Sequence, residues 1–454
     1  MNITTYPDAV KYLNSLYNFE SRGLVKLKRR DNLSNIRLAL ARLGNPERSY
    51  ETAHVAGTKG KGSTSVFLAS ILKSSGSRTG IFTSPHLSDM RERICVDNVM
   101  ISESSVVETI NAAGDIIGDL MESRTFSFFE MFTIISMMHF RAMKVEYAVF
   151  ECGLGGRLDA TNVIEPHVAG FSPISYDHTH ILGNTLEEIA GEKAGVIKEG
   201  MDCVTAPQEP GVMGVLEARC AEKNAPLSAV GRDIKFGRVR TGIDGTYFDI
   251  EGTSGVYENC YSAMSGDFQA ENAATAIGMF EKIALRKGFK ADKEAVRKGV
   301  REAFIPGRLE IISRDPMMVL DGAQNKASAR RLVSAIRRAF KYDRLFFILG
   351  ISADKDIKGV VEELSGTADE FVITRSNVAR AADPLVVRGF FRGNNITVTA
   401  NVDEALGVVF AKTSKRDLVV VTGSFYLVGE VRDRVLGRTG VTAGMRSWDV
   451  GSGT

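Results

Sequence analysis

The sequence has little net charge, few cysteines and no long apolar run. Its formal net charge is +2 over 454 residues, too small to indicate a nucleic-acid partner or an anionic membrane surface. The five cysteines are scattered without a C-x-x-C pair, which predicts reduced thiols and no zinc site. The amino-terminal stretch lacks the basic start and apolar segment of a secretory signal, and no apolar run approaches membrane-spanning length. These absences predict a cytoplasmic protein with no membrane partner.

Length and composition predict two globular domains. A chain of 454 residues is too long for one ordinary core, and its 44% hydrophobic and 25% charged residues are typical of a soluble globular protein. The break IPGRLE contains Pro306-Gly307, the best linker in the chain. We therefore expect an amino-terminal domain over residues 1–305 and a carboxyl-terminal domain over residues 306–454.

Two segments are expected to lie outside the packed cores. The basic run Lys26–Arg30 is predicted to be a solvated loop, with the steering of an anionic ligand as the alternative. The tail from Gly437 onward is predicted to be disordered.

A glycine-rich stretch, HVAGTKGKGST at His54–Thr64, precedes an apolar-rich segment that reads as a helix closed by Gly76. Closely spaced glycines let the backbone turn its N–H groups into one concavity, and a helix start adds partial positive charge, so phosphate is the expected ligand. Lys61 would meet phosphate oxygens, and the hydroxyl of either Ser63 or Thr64 would ligate Mg²⁺. In the usual pattern lysine directly precedes the hydroxyl residue, whereas a glycine intervenes here, a variant typical of a narrower set of ATP users.

Three predicted strands end at groups suited to ligand binding. Gly57–Ser63 follows the first strand, Glu151 ends VEYAVFE, and Asp177-His178 follows HVAGFSPIS. The succession of strand, loop, helix and strand forms a βαβ unit, and ligands bind at the carboxyl edge of the parallel sheet that such units build. A helix is also predicted at Asn184–Lys198, and the methionine-rich helix Phe129–Met143 is predicted to lie in the core.

Strands and helices alternate again beyond the linker. Five short apolar strands are predicted in MMVLDGAQN, RLFFILG, DEFVITRS, NITVTA and DLVVVTGSFYLVGE. This alternation predicts a second, smaller Rossmann-like domain. Residues 228–262 alternate in the manner of β-strands between glycine-rich turns, which predicts a small antiparallel excursion.

Together these motifs resemble those of the folylpolyglutamate synthase/dihydrofolate synthase family, within the Mur ligase superfamily. The matching stretches run in the family's order from Val55 to Glu430: GTKGKGST, TSPHL, RERI, FFE, ECGLGGRLDATNVI, DHTHILGNTLEEIAGEKAGVIK, PGRLE, LDGAQN, SADKD and TGSFYLVGE. ECGLGGRLDATN followed by DHT and EKAG is highly specific. The resemblance implies an α/β fold: an N-terminal P-loop-type ATPase domain with a mostly parallel sheet, and a smaller C-terminal Rossmann-like α/β domain.

The resemblance also implies the reaction, the ATP-dependent joining of L-glutamate to the carboxylate of dihydropteroate or a folate. ATP phosphorylates that carboxylate to an acyl phosphate, the glutamate amine attacks, and phosphate leaves. Such chemistry needs mostly positioning and charge neutralisation. The implied nucleotide-binding residues are Gly57, Thr58, Lys59, Gly60, Lys61, Gly62, Ser63, Thr64, Asn272, Arg308 and Asp321.

By resemblance, two Mg²⁺ ions are expected, with Ser63, Glu151 and His178 as protein ligands. A buried carboxylate at a strand end is costly unless a cation neutralises it, and the alternative for Glu151 is an ion pair with Arg157. Imidazole is an unusual magnesium ligand, so the alternative for His178 is a hydrogen-bonded loop residue. The position of Lys193 is, in the family, a lysine carbamylated by CO₂, which requires an unprotonated amine; the alternative is a plain surface lysine. The implied catalytic residues are Lys61, Glu151, His178 and Lys193.

The pteroate side of the site is implied by three further matches. TSPHL, FFE and DATN contribute Thr83, Ser84, Pro85, His86, Leu87, Phe129, Glu130 and Asp159. Phe129 fits a core position equally well.

Two positions depart from the family's pattern. Lys59 stands where asparagine is usual, and this second ammonium would strengthen phosphate binding, meet the substrate acid or disturb the loop. Gln324, which we place among the substrate-binding residues, replaces a histidine in LDGAQN. Because glutamine has no titratable charge, a proton-transfer or cationic role is lost there.

Two other classes of function remain open at this point. A Mur-type ligase for a UDP-linked precursor usually carries an extra N-terminal domain, for which the residues before the glycine-rich stretch leave no room. A non-catalytic nucleotide-binding module would keep the loop and lose the metal and lysine positions, but all of these are present. We expect ATP, L-glutamate and dihydropteroate or folate as small-molecule partners, no nucleic acid, and a monomer.

Overall fold

In this computed structural model, residues 2–18, 33–123, 126–393 and 395–438 are described. The basic run Lys26–Arg30 and residues 439–454 lie outside them. The predicted start of the disordered tail at Gly437 is wrong, because the last helix continues to Arg438. The described chain forms two α/β units in succession, each built on its own sheet. The predicted fold class is therefore confirmed.

An eight-stranded sheet organises the first unit. Its strands are β1 (Glu51–Ala56), β2 (Thr79–Phe82), β3 (Ile94–Val96), β4 (Val99–Met100), β5 (Tyr147–Glu151), β6 (Val168–Phe171), β7 (Asp202–Thr205) and β8 (Leu227–Ala229). They lie in the order β4-β3-β2-β5-β1-β6-β7-β8, parallel except where β3 pairs with β2 and β4. This antiparallel edge was not predicted, because β3 and β4 span only three and two residues.

Helices cover both faces of this sheet. The helices of the first unit are α1 (Tyr6–Ser15), α2 (Leu33–Arg42), α3 (Lys61–Ser74), α4 (Glu103–Ser123), α5 (Phe128–Ala142), α6 (Thr179–Leu182), α7 (Leu186–Ala194), α8 (Pro210–Glu222), α9 (Phe268–Lys287) and α10 (Lys293–Glu302). Adjacent residues of β5 face opposite cores: Val149 packs with α3 and α9, whereas Phe150 packs with α5. The methionines of α5 are buried, as predicted. None of the described helices is long and apolar enough to cross a membrane.

The predicted antiparallel excursion is a three-stranded sheet of β9 (Lys235–Gly242), β10 (Gly245–Glu251) and β11 (Val256–Ser262). Its β9–β10 turn contacts the second unit. Ile243 packs against apolar residues of that unit, and Arg314 donates a 3.3 Å hydrogen bond to Asp244.

A six-stranded sheet organises the second unit. Its strands are β12 (Glu310–Arg314), β13 (Met317–Leu320), β14 (Leu345–Leu349), β15 (Glu370–Ile373), β16 (Ile396–Val398) and β17 (Leu418–Thr422), in the order β12-β13-β17-β14-β15-β16. The five predicted strands are β13 to β17 and pair in parallel; β12, an antiparallel edge strand, was missed. The helices of this unit are α11 (Lys326–Ala339), α12 (Ile357–Leu364), α13 (Pro384–Arg388), α14 (Val402–Lys412) and α15 (Phe425–Arg438).

Candidate active site

The glycine-rich loop joins β1 to α3 and is held at its start by the end of β6. The N–H groups of Thr58 and Lys59 donate to the Pro173 carbonyl at 3.0 and 3.2 Å, and the Thr58 hydroxyl donates to the Ser175 carbonyl at 3.1 Å. The first N–H groups of an α-helix have no acceptor within the helix. At the start of α3 they are available to an anion, and Lys61 is the first residue of that helix.

Two glycines of this loop occupy positions that a side chain would not fit. Gly57 has φ +139°, and a Cβ there would lie 2.0 Å from Ser172 Oγ. Gly60, which caps α3 with φ +91°, lies against Asn272, because a Cβ on Gly60 would be 2.3 Å from Asn272 Oδ1. Asn272 is held from behind by a 3.0 Å hydrogen bond from its amide to Gln269. The predicted nucleotide residue Asn272, although on α9, therefore does lie beside the loop.

The end of β5 places the Glu151 carboxylate next to this loop. A Cβ on Gly62 would lie 3.6 Å from Glu151 Oε2, and the Ser84 N–H donates to the same oxygen at 3.0 Å. Burial raises the pKa of Glu151, although Lys61 opposes the shift. The alternative ion pair with Arg157 is wrong, because Arg157 instead donates to Glu192 at 2.8 Å.

Lys193 approaches the loop from α7. Only 4% of the residue is exposed, and its ammonium nitrogen donates to the Gly57 carbonyl at 2.7 Å. Burial, with a smaller contribution from Lys61, lowers its pKa from the usual 10.5 to about 7. The surface-lysine alternative is therefore wrong. An amine with this pKa is substantially unprotonated near neutral pH, as carbamylation requires.

Asp177 and His178 follow β6 on the other side of the loop. Lys59 Nζ lies 3.4 Å from Asp177 Oδ2, so the lysine that departs from the family pattern pairs with this carboxylate. Burial lowers the pKa of Lys59. It also lowers the pKa of His178, to about 4. The imidazole is 38% exposed and is neutral at pH 7, the form in which histidine ligates metals.

The second unit contributes two predicted residues next to the linker. Burial raises the pKa of Asp321, which accepts hydrogen bonds from the N–H groups of Leu309 and Ala323 at 3.1 and 3.0 Å. The Arg308 guanidinium lies over the Phe425 ring, 4.6 Å from its centroid, and opposes the shift at Asp321. Gln324, predicted to bind substrate, follows Asp321 in the same loop, and its backbone N–H donates to Ser328 Oγ at 3.1 Å.

The residues predicted for the pteroate side fall into two groups. Thr83 to His86 lie in the loop after β2 beside Glu151, and Phe129 packs on the loop after β5, because a Cβ on Gly153 would be 2.6 Å from its ring. In the second group, Leu87 packs in an apolar core and Glu130 caps a helix. Leu87 is buried in the core of the second unit, and the Glu130 carboxylate caps its own helix by accepting from Ser127 at 2.8 Å.

Asp159 belongs to a buried network that the sequence did not predict. Its carboxylate accepts from the Leu154 N–H at 2.7 Å and from the Thr161 hydroxyl at 2.5 Å. Thr161 Oγ1 also lies 2.8 Å from His54 Nε2, which is 3.0 Å from Cys152 Sγ. Burial lowers the pKa of His54 to about 3, so this imidazole is neutral. No sequence signal joins His54 to DATN, since the contact depends on the pairing of β1 with β5.

The donor set fits a magnesium ion bound with a nucleotide. Among the described residues no group of three His, Cys, Asp or Glu side chains is placed to hold a metal ion. The side chains around the loop are one buried carboxylate, one neutral imidazole and the hydroxyl at the start of α3, which suits an ion that keeps phosphate and water oxygens as ligands. Ser63 is 6% exposed whereas Thr64 is fully buried, which favours Ser63 as the hydroxyl ligand.

Two protein-family models match this chain and show the class of enzyme to which it belongs. The Mur ligase middle domain model matches residues 55–280, and the model of the Mur ligase glutamate ligase domain matches residues 307–425. The chain is thus built as an ATP-dependent ligase of the Mur type.

Individual relatives narrow the class. A dihydrofolate synthase/folylpolyglutamate synthase of Bacillus subtilis is 31% identical over 435 residues, covering 95% of this chain and 99% of that protein. The structure of Mycobacterium tuberculosis folylpolyglutamate synthase complexed with ADP superposes with a TM-score of 0.87 at 30% identity, covering 95% of this chain and 98% of that one. E. coli FolC in complex with DHPP and ADP gives a TM-score of 0.84 at 27% identity, covering 96% and 99%. This chain belongs to the folylpolyglutamate synthase/dihydrofolate synthase family of ATP-dependent ligases.

Proposed function

We propose that the protein joins L-glutamate to the carboxylate of dihydropteroate, of a reduced folate, or of both, with release of ADP and phosphate. The observation that carries this proposal is the meeting of four groups at one sheet edge. These are the glycine-rich loop, buried Glu151, neutral His178 and buried Lys193. A non-catalytic nucleotide-binding module has no need of a buried lysine with a lowered pKa beside its phosphate loop.

In this proposal the loop and Lys61 bind the β- and γ-phosphates of ATP. Ser63, Glu151 and His178 would hold magnesium, which would supply charge neutralisation for phosphoryl transfer. Two ions are proposed, because Glu151 and His178 lie on opposite sides of the loop, after β5 and β6. Arg308 and Asp321 contact the nucleotide from the second unit.

We further propose that Lys193 is carbamylated. Its unprotonated amine adds to CO₂, so that an N–C bond forms and one proton is released. The product is an anion beside Lys61, in place of a second cation. The lowered pKa of Lys193 supports this step, since only the neutral amine reacts.

The domain boundary, the cellular compartment and the oligomeric state are also part of this proposal. We place the boundary at residues 1–305 and 306–454, between the end of α10 and the start of β12. We propose a cytoplasmic monomer, and the mass of the full chain in solution, measured by light scattering, tests the monomer.

The direct test measures ADP release with ATP, Mg²⁺ and L-glutamate, using dihydropteroate or tetrahydrofolate as the acid. The product should gain the mass of one glutamate residue. Glu151→Gln and Lys193→Met should abolish turnover, whereas Lys198→Met should retain it. Lys198 is a matched control because its amine, like that of Lys193, donates to a backbone carbonyl, that of Asn162 at 3.3 Å. ADP release that needs no amine would contradict the proposal.

A further inference from the structure

Leu87 lies in the first unit by sequence and in the second unit by packing. It belongs to the loop Thr83–Asp89 that follows β2, yet only 7% of the residue is exposed. The buried residues that share its apolar cluster all lie between Ile312 and Leu436 among the described positions. This loop therefore inserts a side chain into the core of the other unit.

Both the side chain and the backbone of Leu87 lie close to the second unit. A Cβ on Gly307 would lie 3.2 and 3.3 Å from the two methyl carbons of Leu87, so the leucine rests on the linker. A Cβ on Gly429, in α15, would lie 2.3 Å from the Leu87 carbonyl oxygen. Ser88 Oγ also donates to the Gly429 carbonyl at 3.5 Å.

The other end of the same loop is bonded to the proposed metal ligand. The Ser84 N–H donates a hydrogen bond of 3.0 Å to Glu151 Oε2. Two residues, Pro85 and His86, separate this donor from Leu87. A shift of Leu87 therefore reaches Ser84 unless the backbone between them bends.

Two further side chains stiffen the loop. The Glu92 carboxylate accepts from the N–H groups of Leu87 and Ser88 at 2.7 and 3.0 Å. Arg93 Nε donates to His86 Nδ1 at 2.8 Å, and the Arg93 carbonyl accepts from the Thr83 N–H at 3.0 Å. Since both ends and the middle are bonded, the loop transmits displacement instead of absorbing it.

We infer that Leu87 is a positioning residue, which holds the Ser84 N–H on Glu151 by fastening the loop to the second unit. Through this contact the packing of the second unit sets the orientation of the Glu151 carboxylate. The inference rests on the proposed role of Glu151 as a magnesium ligand. It assigns no substrate contact to the Leu87 side chain.

Two pairs of full-length variants test it. Leu87→Ala removes the apolar contact between the units. Leu436→Ala removes the same atoms from the same cluster, but from helix α15 of the second unit. Gly429→Ala pushes on the Leu87 carbonyl, whereas Gly437→Ala, in the same helix, has no atom within 4 Å of the added Cβ.

Two measurements separate positioning from general loss of stability. The first is amide hydrogen exchange over residues 83–92. The second is the ratio of ADP affinities with and without MgCl₂, determined by calorimetry. Leu87→Ala and Gly429→Ala should speed exchange in this loop and reduce the magnesium-dependent gain in ADP affinity by about tenfold, the lower end of the range for losing a bond to a metal ligand. Leu436→Ala and Gly437→Ala should change neither.

The outcomes distinguish the inference from the function on which it rests. If Leu87→Ala behaves as Leu436→Ala does in both measurements, the inference is wrong. It is also wrong if exchange rises in the loop and the magnesium-dependent gain stays at its wild-type value. If wild-type protein itself shows no magnesium-dependent gain, the proposed metal site is contradicted, while the exchange data still report on the contact of Leu87.

Discussion

Replacing Lys193 by methionine should stabilise the unliganded protein while removing its activity. Lys193 has a pKa of about 7 in the folded chain, against 10.5 when unperturbed. Between these pH values the unfolded chain binds more protons than the folded chain, so this lysine destabilises the fold. The penalty is complete below pH 7, shrinks as the pH rises, and vanishes above 10.5.

The structure gives the size of the effect. At about 1.36 kcal/mol per pKa unit, the shift corresponds to a penalty of about 5 kcal/mol at its low-pH limit. Methionine also loses the 2.7 Å hydrogen bond to the Gly57 carbonyl, which offsets about 1–3 kcal/mol. We therefore expect Lys193→Met to raise the free energy of unfolding by about 3 kcal/mol at pH 7 and to lower it slightly at pH 10.5.

Urea unfolding in CO₂-free buffer at several pH values measures this difference. The Lys290→Met variant is the control, because it makes the same replacement at an exposed residue. Among the titratable groups around Lys193, Lys61 lowers its pKa, and Cys152, Asp177 and Asp159 raise it. A difference between Lys193→Met and wild type that is the same at pH 7 and pH 10 would refute the reasoning.

Two further predictions concern the glycine-rich loop. Gly60→Ala should weaken ADP binding by at least about tenfold in calorimetry, because a side chain there is strained at φ +91° and also collides with Asn272. Gly214→Ala is the control and should bind ADP as wild type does, because its added Cβ meets nothing within 4 Å. Equal ADP affinities for the two variants would contradict the assignment of this loop to the nucleotide. Lys59→Asn should change the free energy of unfolding by less than about 1 kcal/mol, because its ion pair with Asp177 is partly exposed. A larger loss in thermal unfolding would show that the pair holds the loop in place.

Much of the site could be predicted because its residues sit at strand ends. Glu151 ends one short apolar strand and His178 follows another, and parallel pairing of β1 with β5 and β6 brings those strand ends to the loop. The physical cause of the lowered pKa of Lys193 could not be predicted from the sequence. The sequence supplied only the resemblance, whereas burial against Gly57 supplies the physical cause.

What the sequence could not predict depends on contacts between distant segments. The pairing of Lys59 with Asp177 joins two loops, so no local pattern reports it. The resemblance placed Leu87 on the pteroate side together with the rest of TSPHL, but an apolar side chain in a loop gives no sign that another unit will bury it. Short edge strands such as β12 carry too few residues for a period-two pattern to be recognised.

The proposed ligase activity is tested by ADP release from purified protein with ATP, Mg²⁺ and L-glutamate, in parallel reactions with dihydropteroate and tetrahydrofolate. We predict ADP release that requires both the acid and L-glutamate, and a product heavier than the acid by one glutamate residue. Turnover with both acids would establish a bifunctional synthase, and turnover with tetrahydrofolate alone a tail-extending enzyme. Absence of turnover with either acid, from protein that binds ADP, would contradict the account.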